Sequence, residues 1–387
     1  MDGHLLLRWI EQLFGGVLIL VILLDVFLTV LYARIGTGLL SHHLACWTWW
    51  AFRGMSKRFR DHRDTFLSYC GPVILVLLVF TWIVGLAIGA AMIIHPRLGT
   101  GIFANNGPTP TDFAVALYVA GDSMSTVGTS DLAPKTPFTR LFFTSMSFLG
   151  LCVITLTITY LLEIYNALLR RNTLALKVHL ATNETGDAAE LVAGLGPGGR
   201  FDNGYGQLAE MQAEIASFKE SHHFYSVLLY FRFKEPLYAV SRLTLLNLDA
   251  ITLIKSALSD EAYGWLKQSA AVNQLWRGSM HVVQFLCETF LPEGLPEPEE
   301  PDDATRERWR RRYRAALVRL RQADIQLIED ETLGEESYVA QRARWDRFIR
   351  ALGAHMAYSM DVLDPAGTNP VESEQHQEFR ARLRSAG

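Results

Sequence analysis

Three long apolar runs, separated by charged or by Gly-, Pro- and Asn-rich stretches, divide the first 175 residues of the chain. The first covers residues 13–33 and meets the roughly 20-residue requirement of a spanning helix. Asp25 interrupts it and no small-x-small cleavage site follows, so it predicts a retained helix rather than a signal peptide. A carboxylate near mid-membrane is costly against lipid. Asp25 is therefore expected to face protein, a polar cavity or water, as a structural hydrogen-bonding group or as a protonatable one. The second run, Val73 to Ile94, opens after Gly71-Pro72 and stops at His95-Pro96, and the third extends from Arg140 to about Leu162.

The segments between these runs carry as much information. In residues 37–64, Trp47, Trp49, Trp50, Phe52 and Phe59 alternate with Arg53, Lys57, Arg58, Arg60 and Arg63. That mixture suits a helix in the headgroup layer, with its rings at the interface and its cations near anionic lipid. Its positive charge places it on the cytoplasmic side, and Arg170, Arg171 and Lys177 place the far end of the third run there too. The expected topology is N-terminus outside and C-terminus inside. Residues 96–110 read as an extracellular loop. Thr111-Asp112 then caps a short helix from Phe113 to about Met124, too short to span and so expected to be re-entrant. The twelve residues Ala120 to Asp131 are too polar to cross a bilayer, and Pro134 and Pro137 are expected to break the chain after them.

Beyond residue 175 the apolar runs shorten and charge appears at helical spacing. Residues 183–206, with Gly194-Leu195-Gly196-Pro197-Gly198-Gly199, read as a mobile connection; no apolar strand and no Lys-Ser/Thr accompany them, so they do not make a phosphate loop. Helices are predicted over Met211–His222, Tyr225–Phe233, Leu237–Leu258, Glu261–Phe290, Ala304–Ile328 and Glu336–Val362, with Pro236 in a first turn and Ser259-Asp260-Glu261 as a cap. Glu293 to Asp303 is an acidic solvated loop, the Arg306–Arg321 run reads as a charged helix face, and the polar tail is expected to be disordered.

Composition agrees with a membrane part followed by a soluble part: 50% of residues are hydrophobic, yet 20% are charged and these concentrate in the second half. A net charge of −4 gives no field for nucleic acid. Cys46, Cys70, Cys152 and Cys287 show neither metal spacing nor a dense disulfide pattern and read as reduced thiols.

The stretch Thr126-Val127-Gly128-Thr129-Ser130-Asp131, preceded by a short helix and flanked by two spans, resembles the pore loop of the potassium channel family, bacterial two-span type, whose filter reads Thr-Val-Gly-Tyr-Gly-Asp. The resemblance covers roughly residues 70–168, with residues 13–33 as an extra N-terminal span. It implies an all-α membrane protein with three transmembrane helices, a re-entrant pore helix and filter loop, and a cytoplasmic α-helical domain. It also implies a homotetramer among membrane lipids, with no organic cofactor and with potassium or other monovalent cations in the filter. The implied divisions are an N-terminal helix (1–34), an interfacial helix (35–70), a pore domain (71–170), a linker (171–206), a helical domain (207–365) and a tail (366–387).

Backbone carbonyls of Thr126, Val127, Gly128, Thr129 and Ser130 would replace a cation's water shell, with the Thr126 hydroxyl at the inner entrance. Asp131 takes the filter's terminal acid, Asp122 the position of a carboxylate behind it, and Ser125 a supporting place beside them. Gly150 falls at the inner-helix hinge, and Ile154, Ile158 and Leu162 follow on one face, where an apolar ring closes a pore by dewetting or simply packs. Trp47, Trp49, Trp50, Arg53, Lys57 and Arg58 are the membrane-interface set.

Two departures matter: the family's Tyr is Thr129 and its second Gly is Ser130. Cyclic-nucleotide-gated channels also lack that Tyr-Gly pair and pass sodium and potassium alike, so selectivity stays open between potassium and monovalent cations in general. A non-conducting membrane sensor reusing the pore fold is a separate reading from another class. An enzyme in the second half is not supported, since His222-His223 with Glu220 has no second ligand set. No helix carries Arg at every third position and no nucleotide-binding βαβ pattern follows, so neither voltage sensing nor nucleotide gating of those kinds is expected.

Overall fold

A computed structural model describes residues 3–32, 38–125, 128 and 131–365. Thr126, Val127, Thr129 and Ser130 of the expected filter, and the tail from 366, lie outside the described residues. In chain order the elements are α1 (Gly3–Val26), a π-helical turn (Phe27–Leu31), α2 (Ser41–Ser56), α3 (Arg63–Ser68) and α4 (Cys70–Ile94). Then come β1 (Ile102–Ala104), α5 (Phe113–Ser125), β2 (Leu132–Pro134) and α6 (Pro137–Ala181). The rest is helical: α7 (Ala188–Leu195), α8 (Asp202–Phe224), α9 (Val240–Ala257), α10 (Asp260–Lys267), α11 (Ala270–Phe290), α12 (Asp303–Gln322), α13 (Glu331–Ala343), α14 (Asp346–His355) and α15 (Met360–Leu363). The protein is an all-α membrane protein, in which three helical stretches, Leu6–Leu31, Arg63–Arg97 and Pro137–Ala181, are long and apolar enough to cross a bilayer.

The chain divides into two compact units, the first made of Met1–Phe52, Cys70–Asn166 and Phe224–Leu228. Its centre is the antiparallel packing of α1 on α4. Gly15, Gly85 and Gly89 let the two backbones approach: a Cβ on Gly15 would stand 2.5 Å from the Gly89 carbonyl oxygen, and one on Gly85 would stand 2.7 Å from Ile22. Lipid provides no hydrophobic drive between helices, so this small-residue contact is what lets dispersion hold them. Gly85-x-x-x-Gly89 is the signal for it in the sequence. Glu11 accepts from or shares a proton with His95 Nδ1 at 2.7 Å, tying the two helices at one end.

The second unit comprises Arg53–Tyr69, Ala167–His223 and Leu229–Gly387. Helix α9 is its core: nearly every residue from Val240 to Ala257 is buried, under α7, α11, α12, α13 and α14. Such a helix is largely apolar all round. Asp249, fully buried on α9, accepts the Tyr338 hydroxyl at 2.6 Å, Arg342 Nη1 at 3.3 Å and Arg312 Nη2 at 3.0 Å. Arg312 also meets Asp187 at 2.9 Å, and Arg342 meets Asp364 and Asp346. Burial alone would favour loss of the guanidinium protons, but the surrounding carboxylates outweigh it and hold Arg312 and Arg342 firmly charged. The Arg306–Arg321 run is thus not only a solvated face, because Arg312 turns into the core.

Several boundaries differ from expectation. Pro137 opens α6 rather than breaking the chain, since its missing N–H costs nothing in a first turn. The expected linker 171–206 is ordered: α6 runs on to Ala181, ending where Asn183 and Glu184 adopt positive φ, and α7 buries Leu191, Val192 and Leu195. Gly196 and Gly204 serve close packing, for a Cβ on Gly204 would stand 2.1 Å from the Leu195 carbonyl oxygen and one on Gly196 would stand 2.4 Å from the Phe201 ring. Glu261–Phe290 is two helices, α10 and α11, the second capped by Ser269 on Val272 N–H. Glu336–Val362 likewise divides among α13, α14 and α15.

His222 and His355 of this unit are buried, and burial pushes them down to about 3 and about 4, with the Arg171 and Arg53 charges acting in the same direction. Both are uncharged in the folded unit at neutral pH, whereas in the unfolded chain each takes up a proton near pH 6.5. The stability present above pH 6.5 therefore falls as pH drops, by about 1.4 kcal/mol per unit for each histidine, until it levels near their folded values. Denaturant midpoints at pH 7 and pH 5 are expected to show this loss, and the double variant His222→Gln, His355→Gln to flatten it.

Candidate functional site

The segment between α4 and α6 is held from both sides by backbone. β1 and β2 pair antiparallel, Ile102 opposite Pro134 and Ala104 opposite Leu132. Asn105 N–H donates to the Asp131 carbonyl at 2.7 Å and Lys135 N–H to that of Gly101 at 2.9 Å. The Thr139 hydroxyl, from the first turn of α6, donates to the same Gly101 carbonyl at 3.1 Å. The exit of the polar stretch is thereby fixed to the loop that precedes α5. The sequence did not announce this pair, whose three-residue strands are held by main-chain bonds.

Its entrance is set by α5 and α6. The Ser147 hydroxyl donates to the Ser123 carbonyl at 2.6 Å. Gly150 is buried against α5, where a Cβ would stand 2.2 Å from the Met124 carbonyl oxygen. Gly150, expected as a hinge, thus has a packing reason as well. Ser147, one turn earlier, is a site residue that sequence reasoning missed; its only signal is a hydroxyl within an apolar run. The last carbonyls of α5 carry the partial negative charge of a helix carboxyl end.

Of the expected ion-binding residues the structure describes Gly128, whose φ of +68° lies in the left-handed region that favours glycine. Ser125 is exposed and its hydroxyl donates to the Asp122 carbonyl at 3.2 Å; Asp122 is half-buried on α5, and Asp131 is exposed beside β2. Ile154, Ile158 and Leu162 are all exposed along α6. Of the interface set, Trp47 and Trp50 are 70% and 50% exposed, and Lys57 and Arg58 are exposed as well. Trp49 is only 1% exposed, so it faces protein rather than headgroups, and Arg53 is half-buried in the second unit. Among the described residues no group of three or more His, Cys, Asp and Glu could hold a metal ion.

Residues 73–166 match the family described as "Ion channel". The match begins within α4 and ends in α6, so it takes in α5, the β pair and the polar stretch. It supports an ion channel, a class apart from enzymes, in a multi-pass membrane protein. An uncharacterized membrane protein of Bacillus subtilis (strain 168), YdjJ, is 24% identical over 285 residues, covering 72% of this chain and 79% of its own length. No solved structure matches the chain.

Proposed function

We propose that four copies of the chain form a cation channel, probed most simply with potassium, in which Thr126, Val127 and Gly128 line the inner half of the filter and Thr129 and Ser130 the outer half. The observation that carries this reading is Gly128 at φ +68°, directly after a short helix whose carboxyl end is bonded by α6, inside the stretch matched to the ion-channel family. Asp122, Ser125 and Asp131 support the filter, and potassium is cargo held by backbone oxygens. A single chain has one pore unit, and a closed ring needs several related by symmetry.

The exposed face of α6 supports the assembly. Leu151 and Leu162, Ile154 and Tyr165, and Ile158 and Leu169 are all exposed and recur at intervals of eleven residues. Such an exposed apolar face suits packing against the same helix of a neighbouring copy. Gly150 lets α6 bend at its contact with α5, and Ile154, Ile158 and Leu162 form the apolar gate. In this reading Trp47, Trp50, Lys57 and Arg58 meet lipid, the N-terminus lies outside, the second unit lies in the cytoplasm and regulates the gate, and no nucleic acid takes part.

Thr129-Ser130 in place of Tyr-Gly favours a second reading, a monovalent cation channel without preference between potassium and sodium. Purified protein in liposomes under opposed potassium and sodium gradients separates the two. Reversal at the potassium potential supports the first, and reversal near zero supports the second. No flux of either ion through fully assembled protein overturns both.

A further inference from the structure

Asp25 has no exposed surface although it lies in a membrane-crossing helix. Its Oδ1 accepts the N–H groups of Leu40 at 2.8 Å and Ser41 at 3.3 Å, and the Ser41 hydroxyl at 3.1 Å. Those amides stand at the first turn of α2, which has no intrahelical partners for them and where negative charge is favoured. Its Oδ2 accepts the Trp82 indole N–H at 2.8 Å from α4. The Trp82 ring lies 6.3 Å from that of Tyr160 on α6, and Tyr160 lies 6.1 Å from Tyr225. Just after Asp25 the helix widens into the π turn, from which the Thr29 hydroxyl meets that of Ser41 at 2.6 Å. A cavity of about 30 Å³, lined by Thr29, Ser41, His42, Tyr160 and Ser226 among others, adjoins the cluster. That is room for one water and little else.

We propose that Asp25 is a positioning residue that couples the surface helix α2 to the inner helix α6, so that displacement of α2 alters opening of the pore. The proposal rests on the channel reading above. Three features carry it. The carboxylate is bonded to two elements, so α2 cannot move without stressing α4. With Asp25 fully buried, no more than the water of the adjoining cavity could replace a broken bond, which keeps the link stiff. Tyr160 is two residues from both Ile158 and Leu162, about 200° away around the helix, so pressure on its buried ring turns the proposed gate from behind. At the other end, exposed Trp47 and Trp50 give α2 its hold on the membrane surface.

The test uses the full chain in phosphatidylethanolamine–phosphatidylglycerol nanodiscs for hydrogen exchange and the same lipids for recordings. Asp25→Asn is expected to speed exchange of the Leu40 and Ser41 amides by about tenfold or more. Tyr160→Leu, which removes a ring that does not bond α2, is expected to speed the same amides severalfold. Both variants are expected to shift open probability in one direction by about fivefold or more, with reversal potential and unitary conductance unchanged. The double variant is expected to go no further than the larger single effect. Trp82→Phe keeps a ring while removing the donor, and takes the place of Asp25→Asn if that variant does not assemble. Unchanged exchange at Leu40 and Ser41 in Tyr160→Leu, or effects on open probability that multiply as independent ones do, overturns the coupling. If the wild type passes no cation, the channel reading fails and the exchange result alone decides.

Discussion

Alanine at Gly128 is expected to lower cation flux by more than tenfold without loss of assembled protein. At φ +68° an added Cβ meets its own backbone, at about 1–2 kcal/mol for each copy of the chain. Among the described residues nothing else stands within 4 Å of that Cβ, so the penalty is conformational. In the proposed ring every copy would suffer it, and the carbonyls that would converge on the ion would relax outward. Liposome flux, paired with a size measurement of the assembly, checks this. Currents equal to the wild type would contradict the assigned filter.

Asp249→Ala is expected to have the largest effect on stability, destabilising the second unit by about 3–5 kcal/mol. The alanine leaves Arg312 and Arg342 charged, buried and short of the carboxylate that both touch, and removes the acceptor of the Tyr338 hydroxyl. Removing one member of such a cluster costs more than the net value of the cluster itself, because Arg312 is left with Asp187 and Arg342 with Asp364 and Asp346 as only part of the carboxylate shell that offset their burial. Thermal or denaturant unfolding of the purified protein measures it, with Glu307→Gln as the exposed control: that carboxylate meets Arg310 and Arg314 at the surface and its loss is expected to cost about 1 kcal/mol or less.

The spans were legible because length and apolarity alone decide them, and α5 was legible because a capped apolar segment of 13 residues cannot cross a bilayer. The need for a partner at Asp25 was legible too, but its identity was not: Leu40, Ser41 and Trp82 lie 15, 16 and 57 residues away. The Asp249 cluster was hidden for the same reason. Its arginines, 63 and 93 residues on, look like solvated helix charges until the fold turns them inward. The reading of 171–206 as a linker failed because glycine there marks close approach of helices as well as freedom, and local composition does not separate the two. Gly150 shows the reverse, since its tight contact with Met124 arises from tertiary packing that no local pattern encodes.

The paired strands β1 and β2 have a bearing on the missing aromatic residue at position 129. With Asn105 bonded to the Asp131 carbonyl and Gly101 holding both Lys135 and Thr139, each chain splints the C-terminal end of its own polar stretch. Apart from the Thr139 hydroxyl, a splint made of main chain depends less on side-chain identity than on chain length. Substitutions at the less buried Phe103, Ala104 and Ala133 are tolerable so long as the amides remain, whereas Ile102 and Leu132 are buried, and a residue gained or lost between Leu132 and Thr139 would put Lys135 or Thr139 out of register with Gly101. The proposed outer mouth is therefore a part of the protein in which change at its exposed positions is cheap and insertion or deletion is not.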